Sequence, residues 1–175
     1  MKKNFKLLLL TLIMGGGFFA SEAMALDQVD GVYQIGSADD WAAFCQEHNT
    51  GTTFKKLNAV LTADITVSDN SMVGIDGGGH PFEGVFDGQG HTLTIDYKDL
   101  DENCVAPFRR INGAIIKNLR VDGTITVYNG KQFSAGIVGG IWGSHGDSRI
   151  LNCISNVTII DGASHDGTHG GIVGY

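Results

Sequence analysis

Two short segments recur in this chain in the same order and at nearly the same distance. Ile116-Lys117-Asn118-Leu119 returns 34 residues later as Ile150-Leu151-Asn152-Cys153, and Ala135-Gly136-Ile137-Val138-Gly139 returns 35 residues later as Gly170-Gly171-Ile172-Val173-Gly174. A single recurrence of Gly-Ile-Val-Gly would carry little weight in a chain with 26 glycines among 175 residues, but the ordered pair marks a repeat. A unit of this length made of short strands cannot bury its own apolar face, so it must stack on its neighbour as a parallel solenoid. Equivalent positions then lie about 4.8 Å apart on successive coils, apolar side chains form inward rows, and small residues permit the corners. Asn118 and Asn152 are expected to stack at a corner, where an amide ladder satisfies neighbouring backbone groups, a structural role and not a catalytic one.

The local patterns agree with a chain of strands after Phe54. Thr92-Leu93-Thr94-Ile95-Asp96-Tyr97 puts Leu93, Ile95 and Tyr97 on one face, and Thr124-Ile125-Thr126-Val127-Tyr128 alternates likewise. Phe82-Glu83-Gly84-Val85-Phe86 reads as an aromatic strand, followed by a turn at Asp87-Gly88 and Gln89-Gly90. The charged stretch from Lys98 to Asn103 reads as a surface loop. One helix is predicted over Ser37 to His48, capped by Ser37, with Asp39 and Asp40 in its first turn and Trp41, Phe44, Cys45 and His48 on one face. An aromatic pair on a helix could stack a ligand, but one apolar face is what a docking helix needs, so Trp41 and Phe44 are assigned to the core.

A solenoid exposes an unpaired apolar edge at each end. The Ser37–His48 helix is placed to cap one end; at the other the sequence finishes within a recurring motif, Gly171-Ile172-Val173-Gly174-Tyr175, so a C-terminal continuation or end-to-end pairing with another chain is expected. Three divisions follow: a signal peptide at 1–25, an N-terminal strand and capping helix at 26–57, and β-helix coils over 58–175.

The signal peptide is read from Lys2, Lys3 and Lys6, the apolar run Leu7 to Phe19, and the small-x-small site Ala23-Met24-Ala25. A membrane anchor needs about 20 apolar residues, and this run is shorter. Cleavage after Ala25 removes Lys2, Lys3, Lys6 and Glu22, takes the formal charge from −7 to −9 and leaves a secreted or surface protein with no membrane span. That acidity, with only 12 Lys and Arg in the whole chain, excludes a nucleic-acid partner held by phosphate contacts. Cys45, Cys104 and Cys153 are odd in number and define no disulfide framework, and Cys153 falls in an apolar strand pattern as a small hydrophobe.

Phe82-Glu83-Gly84-Val85-Phe86-Asp87-Gly88-Gln89-Gly90-His91-Thr92-Leu93 resembles the segment that opens the strand solenoid in secreted bacterial GLUG-repeat proteins. Asn118-Leu119, Gly136-Ile137-Val138-Gly139, Ile150-Leu151-Asn152-Cys153 and Gly171-Ile172-Val173-Gly174 resemble the repeat itself, here in about one and a half copies. Tyr33-Gln34-Ile35 with Trp41 and Phe44, and then Leu61-Thr62-Ala63-Asp64-Ile65, are similar to the lead-in of such proteins, so the likeness covers most of residues 33 to 175. It implies an exported right-handed parallel β-helix acting as stalk or recognition surface, with a surface glycan or a host protein as partner, and it supplies no catalytic residue. The Phe-Asp-Gly-x-Gly-His opening is also loosely shared with polysaccharide-cleaving β-helix enzymes.

Ser144-His145-Gly146-Asp147 and His165-Asp166-Gly167-Thr168-His169 cluster polar groups in two loops, but zinc wants three or four converging ligands, so polar turns are the simpler reading. No His-Glu-x-x-His motif and no Gly-x-Ser-x-Gly elbow supports Ser144 or Ser164 as a nucleophile. Asp87, Asp122, Asp161 and Asp166 each precede Gly, which reads as turn formation and not as a glycosidase pair or a calcium loop. Arg109, Arg110, Lys117 and Arg120 could supply a lyase base, against the plainer reading of solvated outer-face charges. Gly77-Gly78-Gly79-His80-Pro81 lacks the Gly-Lys-Ser/Thr ending of a phosphate cradle, and Gly136 to Gly143 precedes no helix, so these glycines are read as corners. The sequence therefore predicts an all-β solenoid module with a structural, adhesive or recognition role and with no catalytic, cofactor or metal site. The competing reading is the N-terminal part of a carbohydrate-active β-helix enzyme, a lyase or a glycoside hydrolase.

Overall fold

The recurring segments lie on top of one another in the computed structural model, which describes residues 26–51, 56–75, 79–100, 102–128, 133–143, 146–162 and 167–175. Residues 1–25 and Gly77, Gly78, Ser144, His145, Ser164, His165 and Asp166 lie outside the described residues. A hairpin of β1 (Gln28–Val29) and β2 (Val32–Ile35) leads into helix α1 (Ala38–Asn49). The first coil holds β3 (Asn58–Leu61) and β4 (Ile65–Val67). The second holds β5 (Val85–Asp87), β6 (Thr92–Leu100), β7 (Cys104–Val105) and β8 (Phe108–Ile111). The third repeats that sequence as β9 (Ile115–Lys117), β10 (Arg120–Val127), β11 (Phe133–Ala135) and β12 (Val138–Ile141). The fourth has β13 (Arg149–Leu151), β14 (Ile154–Asp161) and β15 (Thr168–Gly170) and closes with a bridge from Val173 to Val138.

Apart from β1, which pairs antiparallel with β2, neighbouring strands pair in parallel: β2-β3-β5-β9-β13 on one side, β4-β6-β10-β14 on the next, and β7-β11-β15 with β8-β12 on the remainder. The result is a parallel β-solenoid of about four turns. The two recurrence distances are its register: Ile116 pairs with Ile150 and Val121 with Ser155 at a separation of 34, and Ala135 pairs with Gly170 at 35. The second and third coils are instead offset by 30 at Phe86 and Ile116, 28 at Leu93 and Val121, and 29 at Val105 and Ser134. Loops of changing length hide that repeat from a search for fixed spacing.

The inward rows are those the alternation predicts. Leu93 and Tyr97 of β6 pair with Val121 and Ile125 of β10, and these four, with Ile95 and Val127, are fully or almost fully buried. Ser37 caps α1 by accepting from the Asp40 N–H at 3.1 Å, and Trp41, Phe44, Cys45 and His48 are buried. Trp41 meets Phe86 and Phe108 edge-on with ring centroids 5.9 Å apart, and Phe86 and Phe108 lie 5.0 Å apart. The helix thus reaches through the first coil to the second. Its polar tips converge: Trp41 Nε1 and Tyr97 Oη both donate to the Ser71 carbonyl, at 2.9 and 2.7 Å. Among the described residues no helix is long and apolar enough to cross a membrane.

Several local readings change. Phe82 and Phe86 do not share a strand: Phe82 bridges to Ile111, and the chain turns a corner before β5 begins at Val85. The predicted loop at Lys98 is strand as far as Leu100. Asp122-Gly123 is not a turn but the middle of β10, and Gly139-Gly140 lie inside β12. Gly123 is required there because it has φ +122° and because a Cβ would lie 1.9 Å from the Ile95 carbonyl oxygen of the coil before. The Asp-Gly pair signals a turn when read locally, but close coil contact can demand the same glycine.

Replacing Trp41 with Ala should cost about 3–5 kcal/mol in urea-denaturation stability, because it empties the cap of the core. Ser37→Ala should cost only about 0.5–2 kcal/mol.

Candidate functional site: the corner ladder and the open end

The corner between the first and second sides of each coil brings together Asp87, Lys117, Asn118 and Asn152. Asn118 and Asn152 occupy it with φ of 52° and 51°, the left-handed region that Asn tolerates better than most side chains. Asn152 Nδ2 donates to Asn118 Oδ1 at 2.9 Å, and Asn118 Nδ2 donates to Asp87 Oδ1 at 3.0 Å. The ladder therefore ends on a carboxylate. Asp87 also accepts from the Gln89 N–H at 2.9 Å and pairs with Lys117 Nζ at 3.0 Å. Backbone bonds complete the corner, with Gly88 N–H donating to the Lys117 carbonyl and Gly90 N–H to the Asn118 carbonyl, both at 2.8 Å. A Cβ on Gly88 would lie 2.5 Å from the Asn118 oxygen, so the wider second-coil corner closes only around glycine.

Burial alone would oppose ionisation of Asp87, but the bonds from Asn118, Gln89 and Lys117 outweigh it and hold the carboxyl below its ordinary range. Asp64 is likewise lowered, first by the Thr92 N–H and then by His91. Both carboxyls are thereby kept charged, the reverse of what a general acid for glycoside cleavage needs.

On the inner side of the corner Leu119 is buried, while Cys153 at the equivalent place is half-buried. Burial raises the Cys153 thiol, whose Sγ lies 3.3 Å from the Leu151 carbonyl oxygen, and Cys45, Cys104 and Cys153 form no disulfide with one another. Gly136 and Gly171 stand at the corners after β11 and β15. Gly139 and Gly174 stack where a Cβ on either would lie 2.7 Å from a carbonyl oxygen of the preceding coil.

The basic residues divide. Lys117 pairs with Asp87, Arg120 Nε with Asp122 at 2.9 Å, and Arg109 Nη2 with Glu102. The reading of all four as solvated outer-face charges fails for Arg109 and Arg110, which are only 8 % and 4 % exposed. Composition shows the charge but not the glycine strand and Trp142 that cover it. His169 Nε2 lies 2.9 Å from Asp161 Oδ2, and among the described residues no group of three or more His, Cys, Asp or Glu could hold a metal ion.

The fourth coil is an open end. Ile116, Leu119, Val121 and Ile125 are buried in the third coil, whereas their partners Ile150, Cys153, Ser155 and Ile159 are only half-buried. Asp161 sits opposite the buried Val127 and His169 opposite the buried Ser134, so a polar Asp–His contact takes positions that are sealed one coil earlier. Among the described residues, β13, β14 and β15 are each the last strand of their sheets and present an outer edge that no further strand pairs with.

No protein family, curated protein or solved structure matches this chain.

The lowered Asp87 group fixes a sign for acid stability. Its contribution should be complete above the unfolded carboxyl value near pH ~4 and fade as pH falls through the lower folded value. Asp87→Asn should therefore be less stable than the wild type by about 1 kcal/mol at pH 7, with the two denaturation curves converging near pH ~2. Asn118→Ala, which strips both neighbours of a partner and puts Ala at positive φ, should cost about 1–3 kcal/mol.

Proposed function

We propose that this chain is an exported bacterial β-helix module that serves as a scaffold and recognition surface without catalysis of its own. The observation that carries the reading is the contrast between its two ends. One end is closed by α1, with Trp41 and Phe44 fully buried, and the other offers a half-exposed apolar row on an unpaired parallel edge. Such a unit is a base on which further parallel coils can stack, and stacked coils give length and lateral surface, as a stalk or an adhesin requires. The likeness to GLUG-repeat proteins supports the same use, and the lysine-led apolar run ending at Ala23-Met24-Ala25 supports export by a cleaved signal peptide.

The carbohydrate-active reading predicts different behaviour. Purified residues 26–175 incubated with acidic polysaccharides, with and without Ca²⁺, should leave the polymer length unchanged by size-exclusion chromatography. Ca²⁺-dependent shortening that an Asp→Asn substitution abolishes would show an enzyme instead. Expression of the whole chain in a bacterium should yield an exported species whose N-terminus is Leu26; retention of Met1 in the exported protein would sink the cleaved-signal reading.

A further inference from the structure

A guanidinium keeps its proton in any protein environment, and burying it without an anion costs several kcal/mol. Arg110 is 4 % exposed, yet its Nε and Nη1 are buried without a hydrogen-bond partner. Arg109, Lys117 and Arg120 each have a carboxylate, but among the described residues Arg110 has none. What it does contact is Trp142, whose ring centroid lies 3.6 Å from the guanidinium carbon. The attraction of a desolvated cation for an indole face is smaller than the cost of the burial.

The fold sets this pair on one side of the solenoid. Arg110 in β8 faces Gly140 in β12, and the indole fills the space over that glycine, where a Cβ would lie 3.8 Å from Trp142 Nε1. The Trp142 backbone N–H donates to the Ile111 carbonyl at 3.0 Å, which anchors the residue just beyond the strand. Its side chain is 45 % exposed and rests on Arg110 by stacking. Beside it on the next coil, Tyr175 is 66 % exposed, with its ring 4.8 Å from that of Phe133.

We propose that Arg110 and Trp142 form a binding site for a uronic-acid residue of an acidic glycan, Arg110 taking the carboxylate and Trp142 turning aside to stack on the sugar ring. Each of the two forks by which a guanidinium grips a carboxylate includes one of the unpartnered nitrogens. A uronic acid carries both complementary features on one rigid ring, a carboxylate at its edge and a face of C–H groups. An acidic peptide side chain offers the carboxylate without the face. The negative charge of the chain repels a polyanion at long range, so recognition rests on one desolvated pair, and added salt, which screens the repulsion more than that pair, should not weaken binding. The inference rests on the reading of the chain as a recognition module and names its ligand class.

Fluorescence tests it directly, because Trp41 is fully buried and Trp142 is the indole a ligand can reach. The purified chain is titrated with oligogalacturonate, oligomannuronate, the methyl-esterified oligogalacturonate and oligoglutamate. A saturable emission change is expected with at least one uronate oligomer, with affinity lower by about tenfold or more for the methyl ester and for Arg110→Met. The Met variant should melt no lower than the wild type, because it removes an unpaired buried charge while filling similar volume. The proposal is overturned if neither uronate saturates, if Arg110→Met binds equally well, or if that variant melts several degrees lower. Oligoglutamate binding as tightly as the sugars would also overturn it, in favour of an acidic-peptide site. Chromatography of the recovered sugar separates the two readings: intact sugar without binding removes only this site, whereas shortened sugar removes the non-catalytic reading.

Discussion

Parallel backbone hydrogen bonding between coils holds equivalent residues about 4.8 Å apart, and every other feature of this molecule is fitted to that spacing. At this distance an inward residue meets the same position of the next coil, so Val121 and Ile125 continue the rows begun by Leu93 and Tyr97, and Gly123 leaves room for the chain at Ile95. The same closeness leaves no space for a Cβ at Gly88, Gly123, Gly139 or Gly174, where it would press on a carbonyl oxygen of an adjoining coil. Much of the glycine in the strands is therefore clearance between coils.

Polar groups follow the same geometry with opposite consequences at two places. At the corner, stacking places Asn152 over Asn118 and Lys117 over Asp87, so each amide donates to the coil before it, Asn118 reaching across to Asp87, and the carboxylate also meets the lysine and a backbone N–H. The charge is buried only as far as it is compensated. At Arg110 the stack supplies a glycine and an indole where a carboxylate would be expected, and a buried cation remains with free donors. Proteins retain such uncompensated groups at functional sites, where the cost in stability is offset by binding.

The ends differ for a related reason. A stack has two terminal faces, and α1 covers one by sending Trp41 and Phe44 into the aromatic cluster of Phe82, Phe86 and Phe108. The fourth coil keeps an apolar inward row but replaces part of it with Asp161 and His169. This mixture lets the terminal face meet water while remaining able to accept another coil.

The sequence by itself determined the fold class, the capping helix, the inward faces of β6 and β10, and the register of the last two coils, because alternation, capping and a constant repeat length are local properties of a chain. The stacking of Asn118 and Asn152 was legible for the same reason, since a shared offset places two residues over one another. What only the tertiary structure decided was the register of the second coil, the place of Asp122-Gly123 in mid-strand, the carboxylate end of the Asn ladder, and the pairing of Arg110 with Trp142. Each depends on residues about 30 positions apart whose offset drifts with loop length, from 28 to 30 between the second and third coils. Hydrogen-bonded stacking absorbs that drift in the corners. A linear sequence shows the residues that will meet across the coils but not which turns take up the difference.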